Sequence, residues 1–576
     1  MNYRKIILFV VFITHAFQFA IAQKLAHTVF HSESHPCKKC DKIWEVKPSQ
    51  LKLDSLSKAY VNCLRNFGYI ASAVDSIKHN KDTVHLFLYP GSRYKWDSIN
   101  IHDASIQLLP SGAFKTNKLV GKPVNYSKYT DIKEKIINTY ENSGYPFVNI
   151  QTDSVGIDSS LLSLTCSVHS GEYFTFDSLE VTGTKKVSSS YLSHYLDIQR
   201  KKSYSEKKIK AIPKRLKELT FVSEAKPTEV YFIGNKTNIR LFLKNTKSNQ
   251  FNGILGILPD NKNPGKYVLT GDVSLNLLNS FKHGDQINFS WKKLESSSQN
   301  LNALVQWPYL FNKPIGISGL LKLFKKDSTY VNVTSRIEIP FYLTGTNTLG
   351  IYYENSSSTL LATKDYSSIT VLPNVSGYKT NMYGISLWFS NLDYKYNPSK
   401  GFQIKFQAGY GNKTIERLPE VNPLLYKDIS LNSFRNEILT DAVGYLPLYK
   451  KLVVKVRGQF GYLNSRNLLQ NELYRLGGLS TLRGFDEESI YSSIYGIGTS
   501  ELRYLFEKNS AFFAFFDKAS YQNIKNQVDN PYGFGAGIEF QTGAGIFSLI
   551  YALGHQFNNP IEFKNARIHF GFINRF

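Results

Sequence analysis

Two groups of residues have the types and spacing to do chemistry. Cys37 and Cys40 form a CxxC, with His27, His31 and His35 just upstream. Thiolates and imidazoles so spaced can ligate a metal, with His31, His35, Cys37 and Cys40 as the set; in an oxidising compartment the two thiols can instead close a local disulfide or stay reduced. Further on, Arg483 stands in a glycine-rich stretch with Gly477, Gly478, Gly484 and Phe485, and the acids Glu501 and Asp517 follow on alternating segments. A guanidinium in a confined site needs a carboxylate, because an unpaired buried charge is costly. Arg483 could bond either acid through its planar fork, while the glycines permit backbone shapes that other residues resist. The bland alternative is a solvated loop arginine with the acids lining a pore independently. Catalysis fits poorly: His283, His555 and His569 have no evident serine and acid around them, so the reading is not an enzyme, and no cofactor is implied. Cys63 and Cys166 fall on apolar faces and read as packed thiols.

These residues must be positioned by elements whose nature follows from the rest of the chain. Residues 1–22 read as a secretory signal, with Arg4 and Lys5 ahead of an apolar run and Ala20-Ile21-Ala22 before Gln23. Beyond it no uninterrupted apolar stretch is long enough for a membrane helix, so any crossing must use strands closed into a barrel. A content of 37 Tyr, 39 Phe and 38 Gly against 2 Met supplies strand formers, interface aromatics and turns. The formal charge of +24 invites a nucleic-acid reading, but Lys and Arg are scattered rather than gathered on one recognition element. In an exported protein, anionic lipid head groups or a polar barrel interior are the better partners, and no nucleic acid is expected.

The stretch before residue 248 repeats itself. Leu56, Tyr60, Cys63, Leu64 and Phe67 share a helix face before Gly68-Tyr69, and Tyr129, Ile132, Ile136 and Tyr140 do so before Gly144-Tyr145. Each glycine is placed to act as a left-handed helix stop. Alternating strands follow: Val84, Leu86 and Leu88 in one copy, Leu162, Leu164, Cys166 and Val168 in the other. The turn residues 90–99 then align with residues 170–179, giving a period of about 80 residues. A looser third copy has helical patterns over 187–198 and 204–219, the second interrupted by Pro213, and strands over 229–232 and 239–243. The expected organisation is α+β modules over 23–92, 93–171 and 172–247.

From residue 248 the period becomes two. In residues 402–410 and 454–462 one face is apolar and aromatic while the other carries Gln, Lys and Arg. Alternation alone does not separate a soluble sandwich from a membrane barrel. Residues 248–576 without a convincing helix allow about 16 antiparallel strands, an even number as bacterial barrels require. The sequence finishes on one parity with Ile568, Phe570, Phe572 and Phe576.

The segment Arg475-Leu476-Gly477-Gly478-Leu479-Ser480-Thr481-Leu482-Arg483-Gly484-Phe485 resembles the Arg-Gly-Phe/Tyr motif of the BamA/TamA outer-membrane assembly superfamily. Residues 279–285 resemble its early hairpin, 392–401 its mid-barrel hairpin, and 566–576 its closing strand with a terminal aromatic. The repeats look like its polypeptide-transport-associated (POTRA) domains, three of them as in the TamA branch. The resemblance implies a surface-antigen-type barrel in the bacterial outer membrane with its modules in the periplasm. It places the motif in an extracellular loop folded back into the lumen, with Glu501 and Asp517 facing it.

What the resemblance implies for function is assembly or export of β-barrel or secreted clients through a weak seam between first and last strands. The candidate first strand holds Phe251, Gly253 and Gly256, and the last holds Phe570, Phe572 and Phe576. Outer-membrane lipids and nascent clients are the implied partners, and an inner-membrane-anchored periplasmic partner is left open. Two alternatives remain: a two-partner-secretion pore for one dedicated polypeptide, and a structural or receptor barrel.

Overall fold

A computed structural model describes residues 27–31, 37–41, 53–80, 83–103, 108, 116–259, 267–293, 298–361, 370–395, 397–418, 421–507, 509–542, 545–557, 561, 563 and 566–575. The signal reading over 1–22, His35 and Phe576 lie outside them. The chain divides into two compact units, Met1–Thr175 with Ser203–Lys207, and Phe176–Lys202 with Lys208–Phe576.

The first unit contains two α+β modules. In the first, strand Thr83–Tyr89 is central, parallel to His27–His31 and antiparallel to Ala73–Asn80. The one-turn helix α1 (Lys38–Asp41) and α2 (Leu53–Asn66) complete it, with Tyr60, Val61 and Leu64 of α2 buried. The cysteine reading needs correction here: Cys40 is bonded to Cys63, while Cys37 is a buried thiol. Cys40 belongs to the same apolar cluster as Tyr60 and Leu64 of α2, and the Cα atoms of Cys40 and Cys63 are 5.8 Å apart, within disulfide reach. Cys63 is thus a bonded half-cystine rather than a packed thiol. With Cys40 so engaged the proposed ligand set is broken, and no group of three or more His, Cys, Asp or Glu side chains among the described residues is arranged to hold a metal.

In the second module Leu161–His169 is central, parallel to Lys95–Asp103 and antiparallel to Asn149–Asp158. Helix α3 (Tyr126–Glu141) starts at Asn125, whose side chain accepts from Lys128 N at 2.8 Å, satisfying one of the unpaired donors of the first turn. Ile136 and Tyr140, four apart and so on one face, bury against Leu162, Leu164, Cys166 and Val168, which share one parity of the central strand. Cys166 is a buried thiol 3.3 Å from the Tyr129 hydroxyl.

The internal repeat is visible in the backbone. Gly68 and Gly144 both take positive φ, +100° and +105°, where a side chain is disfavoured. The next turn answers each: Tyr94 N donates to Gly68 O and Phe174 N to Gly144 O, both at 2.8 Å. Trp96 N to Lys122 O recurs as Phe176 N to Lys202 O, both at 2.9 Å.

The second unit holds a three-stranded sheet and a barrel. Strand Lys236–Asn245 lies between Thr175–Thr182 and Val222–Ile233, covered by α4 (Ser189–Tyr195) and α5 (Glu206–Glu218), which runs through Pro213. Tyr191 of α4 is buried between Phe221 and Tyr309, and a side chain at Gly284 would strike its ring. Asn279 donates to Lys186 O at 2.7 Å and Ser190 to Asn312 at 2.9 Å, so this sheet unit is fastened to barrel turns 279–285 and 308–316.

The barrel is an antiparallel ring from Gln250–Pro259 to Arg567–Arg575. Seventeen strand segments are described, of which Val528–Asp529 and Tyr532–Gln541 pair with the same neighbour and form one interrupted strand, leaving sixteen among the described residues. Parity decides what each strand shows to which side. Along Ser510–Gln522, Phe512 and Phe516 are exposed while Phe513, Phe515 and Asp517 are buried, so aromatics stand on both faces for different reasons. The outward parity elsewhere carries Leu349, Ile351, Tyr383 and Ile385, an apolar surface suited to lipid.

Candidate lumen-loop site and barrel seam

Residues 466–493 connect strand Leu452–Ser465 to strand Ile494–Glu507 and turn inward. Their stem is a short ladder, Tyr474–Leu476 against Ile490–Ser492. Below it the turn Gln470–Glu472 is anchored by a buried cluster. Glu472 accepts from Lys413 Nζ, from Arg435 Nη1 at 2.9 Å and from Leu469 N at 2.7 Å, and Lys413 and Glu472 side chains are 0% exposed. Asn471 donates to Ser358 Oγ at 2.6 Å and Ser376 O at 2.9 Å. A buried pair is costly unless further partners share its charge, and here Lys413 Nζ also donates to Asn467 O at 2.8 Å while Glu472 takes its two additional donors.

Beyond the stem, Gly477, Gly478 and Gly484 have φ of +112°, +86° and +91°. The turn they permit brings Arg483 between two strands. Its Nε and Nη2 donate to the two Asp517 oxygens at 2.7 and 2.6 Å, its backbone N to Asp517 at 3.2 Å, and its Nη1 to Glu501 at 2.7 Å. The guanidinium lies 3.6 Å above the Phe515 ring, a stacking contact that lysine would make poorly. Asp517 is 0% exposed and Glu501 2%.

Two carboxylates on one arginine would leave excess negative charge, but Glu501 also accepts from Lys455 Nζ at 3.0 Å and Arg503 Nη1 at 2.9 Å. Arg503 in turn reaches Glu539 at 2.8 Å and Asn397 Oδ1 at 3.2 Å. Three cations therefore face three anions. The chain of bonds runs from the loop through Glu501 and Arg503 to Asn397, in the turn at the opposite end of the barrel. The arrangement can hold a plug; among the groups around Arg483 no nucleophile stands beside a base.

Space for the loop is made by glycines that sequence reasoning passed over. Gly533, Gly535 and Gly537 alternate on strand Tyr532–Gln541, and side chains there would run into the Arg483 carbonyl, the Tyr551 carbonyl with the Phe515 ring close by, and the Phe513 ring. A Cβ on Gly484 would sit 2.6 Å from Leu553 O, and one on Gly554 would meet Gly484 O. Their period of two was the available signal, since it marks the inward parity. Phe485 lies in a buried cluster with Leu476, Leu482, Ile490, Ile497 and Tyr521.

The ring closes by very little. First and last strands share two register pairs, Gln250↔Arg575 and Phe251↔Asn574, whereas the last strand shares seven with its other neighbour, Ile546↔Ile573 to Ala552↔Arg567. With the Asn252 amide turned to satisfy both its ends, its nitrogen donates to Phe572 O at 2.9 Å and its oxygen accepts from Ser274 Oγ at 3.0 Å. Gly253 and Gly256 stand in register with Val273 and Thr270 on the second strand. The Phe572 and Phe547 rings lie 4.6 Å apart, tilted by 40°, and Phe570 is in register with Leu549 of the preceding strand.

A family model described as the Omp85 superfamily domain matches residues 279–576, the region holding both loop and closing strand. The chain belongs to the Omp85 superfamily. No curated protein matches by sequence. Among solved structures, CdiB from Escherichia coli superposes with a TM-score of 0.55 at 14% identity, covering 93% of this chain and 98% of that one. CdiB from Acinetobacter baumannii gives 0.52 at 12%, with the same coverage. BamA from Haemophilus ducreyi lacking POTRA domains 1–3 gives 0.43 at 16%, covering 84% and 100%. At these identities the likeness speaks to fold. As an Omp85 protein the chain is an outer-membrane β-barrel of the protein insertion and translocation class, with POTRA-type modules on the periplasmic side.

Proposed function

We propose that this Omp85 protein is a non-enzymatic factor that inserts or exports β-barrel-type clients by parting its first and last strands. The observation that carries the reading is the two-pair closure between Gln250–Pro259 and Arg567–Arg575. An unpaired strand edge facing lipid is expensive, so an edge held by two register pairs is both cheap to part and a ready template for an incoming strand. The buried Arg483 network then has a supporting role: it keeps the lumen loop seated against the strands that must stay rigid while the seam moves.

The test is depletion of the protein followed by quantitative proteomics of the outer membrane. Broad loss of barrel proteins is the expected result. Loss of one secreted polypeptide with barrels unchanged would instead favour a dedicated exporter, and no change in either would overturn the proposal. A disulfide between Phe251→Cys and Asn574→Cys, which face each other in register, should block client insertion until reduced.

A further inference from the structure

The lumen loop does more than sit beside Arg483. Past Phe485 its three consecutive acids reach different strands. Asp486 pairs with Arg567 of the last strand at 2.7 and 3.0 Å. Glu487 pairs with Lys292 of the third strand at 3.5 Å, and Glu488 accepts from Asn300 of the fourth at 3.4 Å. The last strand lies on one side of the seam, and the third and fourth lie on the other.

Topology places these contacts along the seam. The chain enters the first strand at Gln250 from the module side, and the last strand runs antiparallel to it, so both register pairs lie at the module end. Lys292 ends the outward run of Gln286–Lys293, Asn300 begins the return, and Arg567 begins the last strand. All three therefore stand at the opposite end. The seam is fastened at one end by backbone pairs and at the other by side chains of a single loop.

Burial separates the roles of the two loop contacts. Arg483 and its acids are 8% exposed or less, a setting in which removing a partner strands a charge, so that contact anchors. The Arg567 and Asp486 side chains are 41% and 67% exposed, and Lys292 and Glu487 are 32% and 34%. Pairs open to water are weak, screened by salt and quickly remade. We infer that Asp486, Glu487 and Glu488 form a releasable latch that holds the last strand to the third and fourth strands from inside the barrel. The latch sets how readily the seam parts, and it rests on the reading that the seam is the working edge.

The experiment uses the full-length protein in outer-membrane vesicles, with Cys37→Ser and Cys166→Ser to remove the thiols. A reporter pair, Leu255→Cys and Phe570→Cys, continues the antiparallel register past the last backbone pair. With the latch intact, oxidative cross-linking should be efficient at low salt and fall about threefold to tenfold in 1 M NaCl, the size expected for losing a few solvent-open pairs. The triple variant Asp486→Asn, Glu487→Gln, Glu488→Gln should show the low yield at every salt concentration. The exchange Asp486→Arg with Arg567→Asp should restore part of the yield and its salt dependence. A yield indifferent to salt and to the triple variant overturns the latch. If the triple variant misfolds, the salt titration of the parent decides alone. A latch that responds as expected while client insertion is unaffected would sink the seam reading and leave the latch standing.

Discussion

Arg483 and Gly533 meet backbone to backbone: any side chain at Gly533 would run into the Arg483 carbonyl oxygen. The loop's fit thus depends on an absence of atoms as well as on charges. Gly533→Ala keeps every ionic partner of Arg483 yet should unseat the loop, at about 1–3 kcal/mol for an overpacked contact. Gly498→Ala, at a position with open space around it, is the matched control. Heat-modifiability on gels reads both; equal melting of the two variants would show that backbone fit is unimportant.

Arg483 and Glu472 fasten the same loop at two places through separate partners. Arg483→Ala strands Asp517, while Glu501 keeps Lys455 and Arg503, and Glu472→Ala strands Lys413, while Arg435 keeps Glu437. Each should cost about 3–5 kcal/mol, the range for breaking a buried pair from one side. If the loop leaves as one body, the double variant should lose clearly less than the sum, because either break already releases it. Additive losses in a thermal-shift series would mean that stem and tip unseat independently. Arg483→Lys should recover little, since an ammonium cannot span Asp517 and Glu501 while covering Phe515.

How much of this was readable from the sequence depends on whether the signal is local. The Gly-Tyr helix ends could be seen because Gly68 and Gly144 each sit beside their helix, where a positive φ has one local use. The strand parity was equally legible, and Glu501 and Asp517, which lie on neighbouring strands downstream of Arg483, are both found on it. The doubled aromatics Phe512, Phe513, Phe515 and Phe516 could not be divided, because which parity faces inward is set by the ring and by the loop inside it. Lys413 with Glu472 was invisible for a similar reason: the partners come together only when residues 466–493 fold inward. The cysteines misled because Cys37 and Cys40 are near in sequence, whereas α2 brings Cys63 to Cys40 in space.

Cys40 and Cys63 close a loop with a sequence separation of 23. A cross-link of that span stabilises mainly by restricting the unfolded chain, by about 3 kcal/mol. Reduction, or Cys40→Ser with Cys63→Ser, should therefore lower the protease resistance of the first module. The bond lies wholly within that module, so barrel heat-modifiability should not change. A fall in barrel stability on reduction would contradict this.

Asp393 organises the turn at the module end of the barrel that also carries Asn397, the far terminus of the Arg483 network. Its carboxylate accepts from Ser399 N at 3.0 Å, Lys400 N at 3.2 Å and Ser399 Oγ. Partial burial works to raise its pKa, but these hydrogen bonds outweigh burial and hold it below the ordinary aspartate value. A depressed carboxylate pKa contributes stability that is fully present above the unfolded value, about 3.9, and is lost as pH falls through the folded one. Amide exchange at Ser399 and Lys400, corrected for intrinsic rate, should stay flat from pH 7 to pH 5 and accelerate only below about pH 4. Asp393→Asn should show faster exchange at neutral pH and lose this acid step. An acid step that survived in Asp393→Asn would assign the titration to another group and remove Asp393 as the organiser of the turn.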